Sequence, residues 1–169
     1  MERERLPAHG SPMADFCASQ VEKRAESAAP QSGNGRRILV VEDDCNIRRL
    51  NVAVLRKAGY HAEGAADGAL AWSALKSAAY DLVITDNDMP KVTGVELMGK
   101  IQDANMSLPV IMASGSFPED EFSRSRLPRP AATLLKPYDF VELIGAVKEV
   151  LDRAINNASD AEERTQMNT

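Results

Sequence analysis

From residue 37 onward, short apolar runs alternate with longer stretches in which apolar residues recur at helical spacing. Four of the runs are brief and mostly apolar, which is typical of strands buried on both faces of a parallel sheet. A weaker candidate strand follows the first helix. In chain order, the predicted strands are 37–41, 60–65, 81–85, 110–113 and 132–135.

Capping residues mark where the helices between these strands begin. Asp44 and Asp67 are the predicted N-caps of the first two helices, and Gly59 is predicted to end the first helix in a left-handed conformation. Thr93 and Asp139 are each followed by glutamate at the third position, which predicts a capping box at the third and last helices.

In the first helix, apolar residues recur at Ile47, Leu50 and Val54. We expect these three to lie on the apolar face of an amphipathic helix, because they recur at close to helical spacing.

The alternation of strands and helices predicts a three-layer α/β/α domain at 36–155. Residues 1–35 have the composition of a disordered arm and linker, with a short partner-binding helix around 16–21 as the alternative. Residues 156–169 are expected to form a flexible tail, and no effector-sized second domain fits the chain. Prolines within 117–130 leave space for only a short or irregular fourth helix.

The charge balance and the cysteines narrow the function classes. The chain has 169 residues, a formal net charge of −5 at pH 7 and a pI of about 5.1, so it lacks the basic field with which proteins attract nucleic acid. No apolar run approaches the ~20 residues of a membrane-spanning helix. Cys17 and Cys45 lack metal-site spacing, and both are interpreted as free thiols. We therefore expect a cytoplasmic protein that binds neither nucleic acid nor membrane.

Polar side chains stand directly after four of the strands, at the sheet edge where such folds bind ligands. Glu42 and Asp43 follow strand one, Asp86 follows strand three, Ser114 follows strand four and Lys136 follows strand five. Taken singly, an acidic residue there is most simply a helix cap, and a serine or lysine a turn residue. Their coincidence on four strand ends favours a single site.

Carboxylates that lie together repel one another unless they bind a cation or keep a proton. Oxygen ligands favour a hard ion, and Mg²⁺ bound by one or two carboxylates beside a phosphate fits this set. Asp86 stands alone after the central strand and is the best candidate nucleophile toward phosphorus, whereas Glu42 and Asp43 are better suited to hold metal. Lys136 would neutralise charge on the phosphoryl group, and Ser114 would donate a hydrogen bond to it.

The order and spacing of these segments resemble the receiver domain of response regulators, in the stand-alone form of chemotaxis regulators without an output domain. The segments that carry the resemblance are ILVVEDD at 38–44, AADG at 65–68, DLVITDNDMP at 81–90, PVIMASG at 109–115 and LKP at 135–137. The resemblance implies a flavodoxin-like, five-stranded parallel sheet in the order 2-1-3-4-5.

The resemblance also implies roles for single residues. Asp86 would be the phosphorylation site, Glu42 and Asp43 the acidic Mg²⁺ pair, and Asp88 would offer the metal its backbone carbonyl. Ser114 would be the switch hydroxyl. Lys136 would be the family's lysine, followed by a cis peptide bond to Pro137.

The family's activity would make this chain a phosphoryl acceptor of a two-component phosphorelay rather than an enzyme, apart from self-catalysed transfer to Asp86 and its reversal by hydrolysis. The phosphoryl group would come from a histidine kinase or a histidine phosphotransfer protein. Output would pass to a downstream protein that the sequence does not identify.

One departure from the family and two rival functions bear on the mechanism. The family's aromatic switch position is Thr133 here, and Tyr138 is a candidate replacement for the missing ring. A receiver-like adaptor that is never phosphorylated is the first rival. The second is a phosphatase of the haloacid-dehalogenase type, whose Asp-x-Asp motif Asp86 and Asp88 match. The order of the acidic residues argues against that phosphatase, because its metal acids follow the lysine.

Overall fold

Within the described residues, five parallel strands form one sheet in the order β2-β1-β3-β4-β5, which confirms the predicted fold. The computed structural model describes residues 35–116, 119–125 and 127–166. The strands are β1 (Arg37–Val41), β2 (His61–Ala65), β3 (Leu82–Asp86), β4 (Val110–Ser114) and β5 (Ala132–Leu135). The predicted arm, with its alternative helix around 16–21, lies outside the described residues except for Gly35.

All five strands run in the same direction, so their ends form two distinct edges. We call the edge at the carboxyl ends of the strands the carboxyl edge, and the opposite one the amino edge. The register places Asp86 opposite Ala113 and Ser114 opposite Leu135. Strand ends that lie far apart in the sequence therefore meet at the carboxyl edge.

The described residues form five helices, four of which begin directly after a predicted capping residue. They are α1 (Cys45–Lys57), α2 (Gly68–Ser77), α3 (Gly94–Asp103), α4 (Glu119–Ser125) and α5 (Phe140–Gln166). Asp44 and Asp67 accept hydrogen bonds from backbone N–H groups in the first turns of α1 and α2. Thr93 and Asp139 form the two capping boxes, and Gly59 follows α1 with a φ of 93°.

Alternate residues of each strand pack on opposite faces of the sheet. From β1, Leu39 and Val41 join the cluster formed with α2 and α3, whereas Ile38 and Val40 join the cluster formed with α1 and α5. This two-sided burial explains why the strands are almost continuously apolar.

The last two helices differ in how closely they follow the prediction. Helix α4 has 7 residues, as the prolines around it predicted. Helix α5 continues to Gln166, although the polar composition after residue 155 gave no reason to extend it. The segment 156–166 contains no glycine or proline, so neither of the two strongest helix breakers interrupts the helix there.

One cysteine differs from its prediction. Cys45, the first residue of α1, is disulfide-bonded, so its interpretation as a free thiol is wrong. Cys17 lies outside the described residues.

No helix in the described part of the chain is long and apolar enough to cross a bilayer.

Candidate functional site

Three carboxylates meet at the carboxyl edge. Glu42 follows β1, Asp86 ends β3, and both are buried, while Asp43 is exposed beside them. One oxygen from each of these three residues lies within 4.8 Å of the others. The arrangement follows from the topology, because β1 and β3 are hydrogen-bonded neighbours and end at the same edge.

The Lys136 side chain extends to these carboxylates from the end of β5, the strand at one border of the sheet. Its Nζ lies 2.6 Å from Asp86 Oδ2 and 3.0 Å from Glu42 Oε2. β5 is two strands away from β3, a separation of roughly 10 Å. Only a long side chain spans that gap, so a lysine directly after β5 suits the position.

The ion pairs with Lys136 do not fully offset the burial of the Glu42 carboxylate. Burial raises the pKa of the Glu42 carboxyl above its ordinary 4.5, and the hydrogen bond from Lys136 offsets this only in part. Burial lowers the pKa of Lys136, but the hydrogen bonds to Asp86 and Glu42 outweigh it, so that the pKa of Lys136 lies above 10.5. The ammonium therefore stays charged at neutral pH. It faces more negative charge than it can balance.

This excess of negative charge is what a divalent cation would offset. All the donors are oxygen atoms, and one of the three carboxylates opens to solvent, which fits a hard ion such as Mg²⁺ that keeps part of its water shell. Glu42, Asp43 and Asp86 are the residues that would hold it. The backbone carbonyl of Asp88 as a further ligand stays a prediction.

Ser114 and Asp88 lie on the β4 side of the carboxylates. The Ser114 hydroxyl donates to the carbonyl of Ser116 at 2.6 Å and has a weaker contact of 3.4 Å with Asp88 Oδ2. The Asp88 N–H donates to Asp86 Oδ1 at 3.1 Å. The six residues predicted for the site thus lie together at the carboxyl edge.

The loop after β3 is held tightly against the end of that strand. The buried Asn87 donates its N–H to the carbonyl of Ala113, and its side chain accepts from the N–H of Val95. A Cβ on Gly94 would lie 2.7 Å from the carbonyl oxygen of Asp86, so the loop can approach this closely only with glycine there. These contacts fix the direction in which Asp86 points.

Arg48, a buried cation behind Glu42 and Asp43, was not predicted from the sequence. Its Nη1 donates to the backbone carbonyls of Glu42 at 2.6 Å and Asp43 at 3.2 Å. Its side-chain stem passes over Gly64, where a Cβ would lie 3.0 Å from the Arg48 Cγ. Arg48 therefore holds the main chain of the loop from which two of the carboxylates project.

Arg48 was missed because the apolar face expected for α1 was misplaced. The residues of α1 that are buried are Arg48, Asn51, Val52 and Leu55. Ile47 and Leu50 are 40% and 50% exposed. The apolar pair Val52 and Leu55, three residues apart, could have indicated the buried face. That face also contains Arg48 and Asn51, however, so its average hydrophobicity is typical of a solvent-exposed face.

Known proteins share this sequence pattern and fold. Residues 38–148 match the family described as "Response regulator receiver domain". The response regulator receiver protein CpdR of Brucella abortus is 33% identical over 116 residues, which cover 69% of this chain and 97% of CpdR. The sensor kinase CckA of the same species is 32% identical over 136 residues, which cover 78% of this chain but 14% of that kinase.

A solved structure shows the same architecture. The response regulator protein TrrA from Thermotoga maritima, in complex with Mg²⁺-BeF, superimposes with a TM-score of 0.60 and 31% identity. The superposition covers 68% of this chain and 98% of TrrA.

Proposed function

Because the chain belongs to the family of response regulator receiver domains, we propose that it accepts a phosphoryl group on the Asp86 carboxylate in a Mg²⁺-dependent reaction. Receiver domains are signalling modules of two-component systems rather than enzymes acting on separate substrates. The observation that carries the proposal is the contact of Asp86 with the Lys136 ammonium inside a cluster of three carboxylates.

Each residue of the site would have a separate role in phosphoryl transfer. An oxygen of Asp86 attacks phosphorus and forms an acyl phosphate as the donor's leaving group departs. Lys136 stands beside that oxygen and is placed to neutralise charge on the transferred group. Ser114 would turn its hydroxyl from Ser116 toward a phosphoryl oxygen. Bound Mg²⁺ would supply further charge neutralisation, with Glu42 and Asp43 as its ligands.

The donor and the target are proteins in this proposal. Receiver domains interact with kinases or phosphotransfer proteins, and we assign the donor here to a histidine kinase or a histidine phosphotransfer protein. Phosphorylation would shift the loop after β4 between two states through Ser114, and so change which downstream protein binds. Location in the cytoplasm stays a prediction.

The test is incubation with acetyl phosphate and Mg²⁺, followed by intact mass measurement. We expect one added phosphoryl group on the unaltered chain and none on Asp86→Asn. Chelation of Mg²⁺ beforehand should also prevent the addition. Asp103→Asn is the matched control, because Asp103 is an exposed carboxylate at the end of α3 and should leave the addition unchanged.

Two results would contradict the proposal. Failure of the unaltered chain to gain mass would favour an adaptor that is not phosphorylated. A phosphoryl group that persists in Asp86→Asn would place the acceptor elsewhere.

A further inference from the structure

Asn51 is a polar residue on the buried face of α1, and its side chain has a specific partner. Only 4% of its surface is exposed, and its Nδ2 donates to the hydroxyl oxygen of Tyr138 at 3.0 Å. The two residues are separated by 87 positions in the chain. The bond therefore ties the middle of α1 to the segment between β5 and α5.

Tyr138 stands two residues after Lys136 on that segment. Its ring packs against the apolar cluster shared by α1 and α5. Burial raises the pKa of the Tyr138 phenol, and the charges of Lys136, Glu42 and Asp86 all act on it. Tyr138 thus follows the carboxyl edge closely in the chain, although its hydrogen bond is made with α1.

Lys136 lies between two anchors. On the strand side, its N–H donates to the carbonyl of Ser114 at 2.9 Å. On the helix side, the Tyr138 hydroxyl accepts from Asn51. Between them stands Pro137, whose ring fixes φ, so a displacement of Tyr138 is passed on to Lys136 with little local relaxation.

We propose that Asn51 and Tyr138 are positioning residues that set where the Lys136 ammonium stands relative to Asp86. This inference rests on the proposed phosphorylation of Asp86 and assigns a role that the sequence pattern does not. Within the described residues the pair's hydrogen bond joins α1 to the segment after β5, so the two residues act through the short segment that carries Lys136.

The test measures phosphorylation by acetyl phosphate at saturating Mg²⁺ in Tyr138→Phe, Asn51→Leu and the double variant. Tyr138→Phe removes one hydroxyl and keeps the ring. We expect its maximal rate to fall about five-fold, the factor that corresponds to one hydrogen bond of ordinary strength. Asn51→Leu should lower the rate by a similar factor. The double variant should be no slower than the slower single variant, because both changes remove the same bond.

Tyr80→Phe is the matched control. The Tyr80 hydroxyl donates to Glu63 at 2.8 Å at the amino edge, so its loss should leave the maximal rate unchanged. Mg²⁺ affinity, measured by titration calorimetry, should be the same in Tyr138→Phe as in the unaltered chain, because Glu42 and Asp43 are untouched.

The outcomes separate this inference from the proposed function. If Tyr138→Phe is phosphorylated as fast as Tyr80→Phe, the positioning role is overturned and the proposed function stands. A parallel fall in rate, Mg²⁺ affinity and melting temperature would show a general structural role and overturn it too. If the unaltered chain is never phosphorylated, both ideas fail together.

Discussion

The two edges of the sheet use the same kinds of side chain in different proportions. At the amino edge each cation has its own carboxylate, with Arg36 2.7 Å from Asp81 and Arg37 2.8 Å from Glu63. At the carboxyl edge the carboxylates of Glu42, Asp43 and Asp86 gather around Lys136. One edge is locally balanced, whereas the other keeps a surplus of negative charge.

At the amino edge, the charged groups also make further contacts with neighbouring side chains. The Arg37 guanidinium lies over the Tyr80 ring, 5.0 Å from its centroid, and the Tyr80 hydroxyl donates to Glu63. Arg37, Glu63 and Tyr80 thus pair with one another through a hydrogen bond, an ion pair and a cation–π contact, and they need no further ligand. Pairing thus stabilises the amino edge, whereas the carboxyl edge keeps the negative charge that the Mg²⁺ and phosphoryl transfer of the proposed function would use.

Removing the Lys136 ammonium, which Asp86 and Glu42 share, should slow phosphorylation more than any other change. In Lys136→Met we expect the rate of phosphorylation by acetyl phosphate to fall by ~100-fold or more, because the charge that neutralises the transferred group is lost. Intact mass measured over time gives the rate. Lys148→Met changes an exposed lysine on α5 and should match the unaltered chain. A loss of less than tenfold would mean that Lys136 only balances the resting carboxylates.

A smaller effect is expected at the amino edge, and on stability alone. Glu63→Gln keeps the shape of the side chain but removes the charge that Arg37 and Tyr80 contact. We expect the free energy of unfolding to fall by about 1 kcal/mol, since the pair is only half-buried. Urea denaturation measures this fall, and the phosphorylation rate should not change. A slower rate at unchanged stability would show that the two edges are coupled.

The smallest effect concerns Asp67, a carboxylate at the carboxyl edge that does have its own cation. Burial would raise its pKa, but the hydrogen bonds from Lys91 and the Leu70 N–H outweigh burial, so the pKa of Asp67 lies below 3.8. Asp67 therefore contributes stability that is present above pH 3.8 and is lost as the pH falls through its lowered value.

Asp67→Asn removes the ion pair with Lys91 but keeps the N-cap of α2, because asparagine can also cap a helix. The variant therefore isolates the contribution of the ion pair to stability. We expect a loss of about 0.5 kcal/mol at pH 7, since Lys91 is largely exposed, and a shrinking difference below pH 3.8. Urea denaturation at a series of pH values gives both quantities. A difference that does not vary with pH would assign the effect to capping instead.

The sequence predicted the strands, their layers and the side chains at the carboxyl edge because each of those features is local. An apolar run shows where a strand ends, and the residue after it, such as Asp86 or Lys136, then falls at a known edge. Asp44 and Thr93 were predicted as N-caps for the same reason, since an N-cap forms its hydrogen bonds with the first turn of the helix that follows it.

The features that were missed depend on partners distant in the chain. Asn51 is buried because it meets Tyr138, which lies 87 positions away, and Arg48 because its stem passes over Gly64 on β2. No window along α1 contains either partner. The length of α5 was missed for another reason, since the segment 156–166 has no apolar periodicity to indicate a helix and no glycine or proline to mark where one ends.

Helix α1 turns Arg48 and Asn51 toward the sheet and leaves Ile47 and Leu50 facing water. A redesign guided by hydrophobicity would exchange them, placing aliphatic groups inside and polar groups outside. Such a protein would bury more apolar surface, but it would lose the hydrogen bonds from Arg48 to the carbonyls of Glu42 and Asp43 and from Asn51 to Tyr138. The polar residues buried by α1 therefore hold the main chain on which Glu42, Asp43 and Lys136 stand.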